Sequence, residues 1–236
     1  MKTPPRPLER EHRVRIKNAL NSWAASGAFL GLRTRAFVVL GITSGLRTKE
    51  LLALDLAQIL EVTGPRSFKV RSSAYLRGPQ SKGRRQGDGS TWDSAGLFVI
   101  TKAARAALRE YIKDGLRRGW FKLPAQPGQP LFIANRGTVH KDEEHPRIDR
   151  RTAQYAWHLA QTRAGIPLEN QYGVHCLRHE ALTRFADQSK DPFRVARYGR
   201  MSLKTALRYV HSSPHAIAEI AEQAARAATA AGGRGL

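Results

Sequence analysis

The pattern of apolar and polar positions predicts a mainly helical chain. Near the N-terminus, Ile16, Leu20 and Trp23 share one face of a helix that begins at about residue 8, and basic residues occupy the other face. Gly27 and Gly31 predict a break after this helix. Similar periodicity predicts further helices at about residues 34–43, 49–54, 102–116, 152–164, 176–187, 192–198 and 203–210.

The middle of the chain has a different pattern. Apolar and small residues alternate with polar ones over residues 68–74, which predicts one strand. Residues 77–91 are rich in glycine and charge and predict a long turn, and the sequence LFVI at 97–100 predicts the return strand. Residues 59–62 could add a third strand. We therefore expect an α+β fold, mainly α-helical, with a small antiparallel β-sheet.

Composition and charge narrow the class of protein. The chain has 236 residues, 41% of them hydrophobic and 25% charged, which is typical of a globular protein. Its formal net charge of +21 makes nucleic acid the first partner to consider. A single cysteine, Cys176, excludes an internal disulfide and a multi-cysteine zinc site. Since we find neither a signal peptide nor an apolar run of about 18 residues, we expect a cytoplasmic, DNA-associated protein without a membrane span.

The organisation along the chain predicts one domain flanked by an N-terminal arm and a C-terminal helix. Three prolines in residues 1–7 predict a flexible N-terminal arm, and residues 8–213 form the expected domain. Residues 214–236 predict an alanine-rich helix that ends at Gly232 and whose only large apolar residues are Ile217 and Ile220. A helix with so few core residues is more easily stabilised in the groove of a partner, so we expect it to be exchanged between protomers.

Three widely separated segments carry the candidate chemistry. They are TSGLRTKELLAL at 43–54, VHCLRHEALTRFA at 174–186 and YGRMSLKTALRYVH at 198–211. In this order and spacing they resemble the catalytic domain of the tyrosine recombinase (phage integrase) family. The resemblance covers about residues 4–211, and the HxxRH pattern followed by a downstream tyrosine is its most specific part.

The resemblance implies a phosphoryl transfer through a tyrosine. Tyr209 matches the nucleophile that attacks a DNA phosphodiester and forms a 3′-phosphotyrosyl intermediate. Arg47 and Arg178 match the two guanidiniums that clamp the phosphate oxygens and stay charged at any working pH. Because the phosphotyrosyl ester conserves the energy of the broken bond, the resemblance implies no metal and no cofactor.

Four further residues complete the expected site. His175 matches the group that helps the phenol of the tyrosine lose its proton, and Lys82 is the best match for the ammonium that protonates the leaving 5′-oxygen. Glu50 matches an acidic orienting residue, and His179 is expected to support the site through a hydrogen bond. Each residue alone has a structural interpretation, and Lys82 could simply belong to a solvated run of charges, since its turn also holds several arginines.

One position departs from the family pattern. The family has His, or sometimes Trp, where this chain has Arg200. A guanidinium there can donate to a phosphate oxygen but cannot act as a base. We expect an active site with altered tuning, in which Arg200 touches the scissile phosphate or packs against the tyrosine-bearing segment. An impaired site is the alternative.

These observations predict a site-specific DNA recombinase of the small, single-domain type. Its expected partners are double-stranded DNA with specific recombination sites and accessory DNA-binding proteins. We expect it to act as a homo-tetramer on synapsed DNA. The main rival is a non-catalytic DNA-binding regulator or accessory factor on the same fold. A type IB topoisomerase-like enzyme shares the chemistry, but its motifs match less well.

Overall fold

The computed structural model describes residues 8–64, 67–77, 84–85, 91–92, 95–134 and 146–210. The predicted arm, Lys82 and the predicted C-terminal helix lie outside the described residues. No helix in the described part of the chain is both long and apolar enough to span a membrane.

The described regular structure is mainly helical, as predicted. The helices are α1 (Arg10–Ala25), α2 (Phe29–Ser44), α3 (Thr48–Leu52), α4 (Leu56–Ile59), α5 (Lys102–Arg117), α6 (Arg150–Arg163), α7 (Cys176–Ser189), α8 (Pro192–Gly199) and α9 (Leu203–Ala206). The strands are β1 (Leu60–Gly64), β2 (Ser67–Val70), β3 (Ser73–Leu76), β4 (Arg84–Arg85), β5 (Thr91–Trp92) and β6 (Gly96–Val99). A short 3₁₀ turn at Leu168–Asn170 precedes α7.

Helix α2 is the centre of the core. It packs against α1, α5, α6 and α7, and residues on all of its faces are buried, including Ala36, Phe37 and Leu40. A helix surrounded in this way must be apolar all round, which explains the AFVVLGI block. Its C-terminal end delivers the chain to the first of the three motif segments.

The prediction that Gly31 breaks the chain is wrong. Helix α2 begins at Phe29, so Gly31 lies inside its first turn, and only Gly27, with φ +73°, adopts a left-handed backbone between α1 and α2. A Cβ at Gly31 would lie 2.6 Å from the carbonyl oxygen of Trp23 in α1. Glycine is required here because the two helix backbones approach each other closely.

The predicted strand over residues 68–74 is also wrong in one respect, because it consists of two strands. β2 pairs antiparallel with β1, and β3 pairs antiparallel with β6. The chain changes partner between Arg71, whose N–H donates to Ile59, and Ser72, whose carbonyl accepts from Ile100. The third strand near residues 59–62 and the return strand are confirmed. The described strands form three two-stranded sheets, the last being the short β4–β5 pair.

The C-terminal motif is less helical than the sequence predicts. Helix α9 ends at Ala206, and Tyr209 lies in the turn that follows, where its N–H donates to the Ala206 carbonyl. The predicted helix at 49–54 likewise ends at Leu52 and is followed by the separate α4. Both differences shorten elements whose ends hold candidate site residues.

Replacing Gly31 by alanine tests the close approach of α1 and α2. Helix propensity alone would favour alanine by about 1 kcal/mol. Because the new methyl group must push against the backbone of Trp23, we expect Gly31→Ala instead to lower the free energy of unfolding by about 1–3 kcal/mol. Chemical denaturation measures this. Gly173→Ala, where a Cβ meets nothing within 4 Å, is the control and should change stability little. A stabilised Gly31→Ala would contradict the interpretation.

Candidate active site

The site residues predicted from sequence and described by the structure come from the three motif segments. They are Arg47 and Glu50 at the start of α3, His175, Arg178 and His179 at the start of α7, and Arg200 and Tyr209 on either side of α9. The structure brings these segments together at the C-terminal end of α2.

A left-handed glycine creates the junction between α2 and α3. Gly45 ends α2 with φ +63° and ψ +13°, and a Cβ there would lie 3.0 Å from the ring of Tyr198. The Tyr198 hydroxyl donates to the carbonyl of Thr43 at 2.8 Å. The end of α2 is thereby attached to α8, and the Gly45 carbonyl is turned toward the site.

Glu50 is the centre of the charge cluster. Its side chain is 0% exposed, one oxygen accepts from Arg47 Nη1 at 2.6 Å, and the other accepts from the Arg47 backbone N–H at 2.8 Å. The second oxygen also lies 3.4 Å from Arg200 Nη2 and 3.9 Å from Arg178 Nη1. Burial alone would raise the pKa of Glu50, but the Arg47 hydrogen bond and the surrounding guanidinium charges outweigh it and lower the pKa.

Arg178 is held by main-chain carbonyls from two different segments. Its Nη1 donates to Gly45 at 2.5 Å and its Nη2 donates to Gly199 at 2.6 Å. Burial, together with the charge of Arg47, lowers the pKa of Arg178 to about 10, so the guanidinium stays charged at neutral pH. These two carbonyls are functional groups that sequence reasoning missed, because a carbonyl leaves no signal in the residue type.

Arg200 points inward and is loosely held. It caps α8 in a left-handed conformation, with φ +48°, and only 7% of the residue is exposed. Its guanidinium lies 3.4 Å from the Tyr198 carbonyl, from the Gly45 carbonyl and from Glu50. Among the described residues, its Nε has no hydrogen-bond partner. Burial is the main factor that lowers its pKa, and Glu50 opposes that shift.

His175 is exposed at the N-terminal end of α7. Its pKa is lowered, first by partial desolvation and then by nearby positive charges, chiefly Arg178. Arg150, the first residue of α6, adds to this effect, although no motif in the sequence singles it out. His175 is therefore neutral at neutral pH and has a free electron pair with which to accept a proton.

Tyr209 is half-buried beside Arg178 and His179. Its ring lies 5.2 Å from the ring of His179, with the two planes tilted by 55°. Burial raises the pKa of Tyr209, against the opposing charges of Arg178, Arg208 and Arg47. The phenol therefore keeps its proton at neutral pH until a base removes it. The contact between the rings places His179 in the site.

The β3–β6 hairpin approaches the site at the end of its ladder that adjoins the connecting segment. A Cβ at Gly96, the first residue of β6, would lie 4.0 Å from Arg200 Cδ. The connection between β3 and β6 contains Lys82, which lies outside the described residues. In the described part of the chain, no three His, Cys, Asp or Glu side chains are grouped to hold a metal ion.

Comparison with known proteins identifies the family. The model of the phage integrase family matches residues 8–215. The chain belongs to this family. Tyrosine recombinase XerC of Mycobacterium tuberculosis (strain ATCC 25177 / H37Ra) is 29% identical to this integrase-family chain over 225 residues, which are 94% of the chain and 64% of that protein. Tyrosine recombinase XerD of Caulobacter vibrioides is 28% identical over 222 residues, which are 92% of this chain and 61% of that protein. The chain thus spans less than two thirds of the length of these relatives.

Solved structures share the fold of this integrase-family chain. The crystal structure of XerA recombinase superposes with a TM-score of 0.60 at 20% identity and covers 94% of this chain and 64% of its own. A lambda integrase dimer bound to a COC′ core site gives a TM-score of 0.51 at 15% identity. The match covers 89% of this chain and 49% of the lambda integrase chain. The predicted mainly helical fold with a small antiparallel sheet is confirmed, with the described strands arranged as three two-stranded sheets.

Neutralising Glu50 tests the charge cluster. We expect Glu50→Gln to lower the free energy of unfolding at pH 7 by about 3–5 kcal/mol, because three buried or half-buried guanidiniums lose their counter-charge. Since the pKa of Glu50 is lowered in the folded protein, its contribution is present at neutral pH and is lost on acidification. The difference between variant and wild type should therefore shrink as the pH falls below about 4.

Denaturation midpoints of wild type and of Glu50→Gln, measured from pH 7 to below about pH 4, test this expectation. The control is Glu61→Gln, which neutralises an exposed carboxylate on β1 and should change stability by less than about 0.5 kcal/mol. Equal stability of Glu50→Gln and wild type at pH 7 would show that the guanidiniums do not depend on this carboxylate.

Proposed function

We propose that this protein is a site-specific DNA recombinase that cleaves and rejoins DNA strands through a covalent 3′-phosphotyrosyl intermediate. The observation that carries the proposal is the convergence of three guanidiniums on one buried carboxylate, with a tyrosine next to them. Arg47, Arg178 and Arg200 bring three positive charges and Glu50 brings one negative charge. The cluster retains a surplus of two positive charges, which suits a phosphodiester and its more highly charged transition state.

The arginines have hydrogen-bonding capacity left for this phosphate. A guanidinium carries five N–H donors, and Arg178 uses one from each terminal nitrogen for the carbonyls of Gly45 and Gly199. Arg200 has weaker contacts at 3.4 Å and a buried Nε without a partner among the described residues. A phosphate oxygen would satisfy these donors better than the free protein does. Arg200 can therefore replace the usual histidine as a donor.

The directions of the pKa shifts of two titrating groups support this reaction. Neutral His175 accepts the proton of the Tyr209 phenol, and the phenol oxygen attacks phosphorus. The bond from phosphorus to the 5′-oxygen breaks, and that oxygen leaves as a hydroxyl after protonation by Lys82. A 5′-hydroxyl of another strand then attacks the phosphotyrosyl ester and gives its proton to Lys82, and Tyr209 leaves and takes back the proton held by His175. Phosphorus remains at the same oxidation state and no external energy source is consumed.

Recombination requires a larger assembly than one chain. Two DNA sites contribute four strands that must be cut and rejoined, so we propose that four copies act together on synapsed DNA. The net charge of +21 favours the approach of the DNA backbone. Glu50 and His179 are positioning residues in this scheme, since each contacts a residue that would touch the phosphate or supply the attacking oxygen.

Replacing Tyr209 by phenylalanine tests the nucleophile. The ring can still pack against His179, but the attacking oxygen is absent. We expect Tyr209→Phe to bind DNA nearly as wild type and to form no covalent adduct with a nicked suicide substrate, measured by denaturing electrophoresis. Tyr155→Phe, which removes an exposed hydroxyl on α6, is the matched control and should form the adduct normally. A covalent species with Tyr209→Phe would identify another nucleophile.

The same assay separates a recombinase from a DNA-binding regulator. The substrate must carry the protein's recombination site, which we expect to find by searching the DNA that flanks the gene for inverted repeats. A wild-type protein that binds this DNA tightly and forms no adduct would support the regulator and contradict our proposal.

Variants of Arg200 test its role at the phosphate. We expect Arg200→Ala to lower the cleavage rate on the order of 10²-fold, as for the loss of one charge-stabilising donor, and to weaken DNA binding much less. Arg200→His should keep or raise the rate, because histidine restores the usual donor of the family. Single-turnover cleavage with the suicide substrate measures both. Full activity in Arg200→Ala would remove Arg200 from the catalytic site.

A further inference from the structure

Helix α6 holds the segment that leads into His175. Gln161, which is fully buried, clamps Tyr172 by accepting from its N–H at 2.7 Å and donating to its carbonyl at 3.0 Å. Two turns closer to the start of α6, Gln154 accepts from the N–H of Val174 at 3.0 Å. Val174 is the residue directly before His175, and its carbonyl accepts from the Leu177 N–H at 3.3 Å. The Gln154 contact fixes the N–H side of this residue, ahead of the proposed base.

Gln154 belongs to a chain of hydrogen bonds through His158. Gln154 Nε2 lies 2.5 Å from His158 Nε2, and His158 Nδ1 lies 2.6 Å from Gln171 Oε1. Gln171 Nε2 then donates to the Ile166 carbonyl at 3.2 Å and to the Thr162 hydroxyl at 3.0 Å. We call Gln154, His158 and Gln171 the α6 relay.

The two ends of the α6 relay determine the direction of every bond in it. The Val174 N–H can only donate, so the Gln154 oxygen accepts and its NH₂ group faces His158. His158 Nε2 must therefore accept, its proton lies on Nδ1, and Nδ1 donates to the Gln171 oxygen. The Gln171 NH₂ group then meets the Ile166 carbonyl, which can only accept. One neutral tautomer of His158 satisfies the whole chain.

A cleft lies beside this segment. It has a volume of about 280 Å³ and is lined by residues 169–173 together with His175 and Cys176. The segment is therefore held by α6 and also borders an open cleft. Since the His175 side chain is itself exposed, its direction depends on how firmly the preceding backbone is held.

We propose that Gln154 and His158 are positioning residues for strand cleavage, which hold the Val174 backbone so that the His175 imidazole meets the Tyr209 phenol. The inference rests on the proposed recombinase function. A displacement of about 1 Å in a catalytic group can cost on the order of 10²-fold in rate, so a relay that fixes one backbone N–H can affect the chemistry without touching DNA.

Single-turnover cleavage of the suicide substrate tests the α6 relay. We expect Gln154→Leu and His158→Leu each to lower the cleavage rate constant on the order of tenfold or more, with unchanged DNA affinity and unchanged final amount of adduct. His158→Gln should recover most of the rate, because an amide can accept from Gln154 and donate to Gln171. Thr162→Val is the matched control. It removes one of two acceptors of Gln171 and the hydrogen bond from the Thr162 hydroxyl to the His158 carbonyl, but it leaves the relay connected.

A purely structural role gives a different result. If the relay served only folding, the leucine variants would form less adduct in proportion to the unfolded fraction, and the remaining protein would cleave at the wild-type rate. That outcome, or wild-type rates in both leucine variants, would overturn the inference and leave the proposed function intact. A wild-type protein that binds DNA but forms no adduct would instead contradict the proposed function, and this inference with it.

The tautomer of His158 gives a readout that does not depend on activity. Imidazole ¹⁵N shifts of the free wild-type protein should show a neutral ring with its proton on Nδ1. In Gln154→Leu this preference should weaken, because nothing then donates to Nε2. A proton on Nε2 in the wild type would overturn the proposed direction of the relay.

Discussion

The candidate active site depends on one buried carboxylate. Glu50 is the only negative charge in contact with Arg47, Arg178 and Arg200 among the described residues, and it holds together segments that lie more than a hundred residues apart in the chain. Three guanidiniums this close would repel one another strongly in a buried setting. With one counter-charge the cluster keeps a surplus of positive charge without leaving every guanidinium uncompensated. Stability and the proposed phosphate recognition therefore come from the same arrangement.

The groups around this carboxylate are held to different degrees. Arg178 is fixed by short hydrogen bonds to carbonyls at the ends of α2 and α8, so it is pre-organised for the proposed contact with a phosphate. Arg200 has only long contacts and a strained backbone, which leaves it able to reorient towards a phosphate. On the other side of the site, α6 holds the backbone before His175. In the proposed catalysis, Arg178 is therefore a rigidly held phosphate ligand and Arg200 is a hydrogen-bond donor that can reorient. His175 is a base whose position depends on the backbone that α6 holds.

Errors in the sequence-based fold arose where a non-local contact overruled a local pattern. Gly31 resembles a helix break, yet it lies inside α2 because the backbone of α1 passes close to it. The alternation over residues 68–74 continues through a point where the chain changes from one partner strand to another, which periodicity cannot detect. Tyr209 follows a helical pattern but lies in a turn, since α9 ends at Ala206.

The sequence by itself determined the family, the mainly helical fold and the residue types of the candidate site. Motif spacing, apolar periodicity and net charge depend only on which residue stands at which position, so they can be read without the tertiary structure. Tertiary structure alone decided that Arg200 points inward to Glu50, that the carbonyls of Gly45 and Gly199 hold Arg178, and that Gln154 reaches the backbone before His175. These contacts join residues distant in sequence or use main-chain atoms common to every residue. Their geometry exists only once α2, α6, α7 and α8 have packed around a shared core.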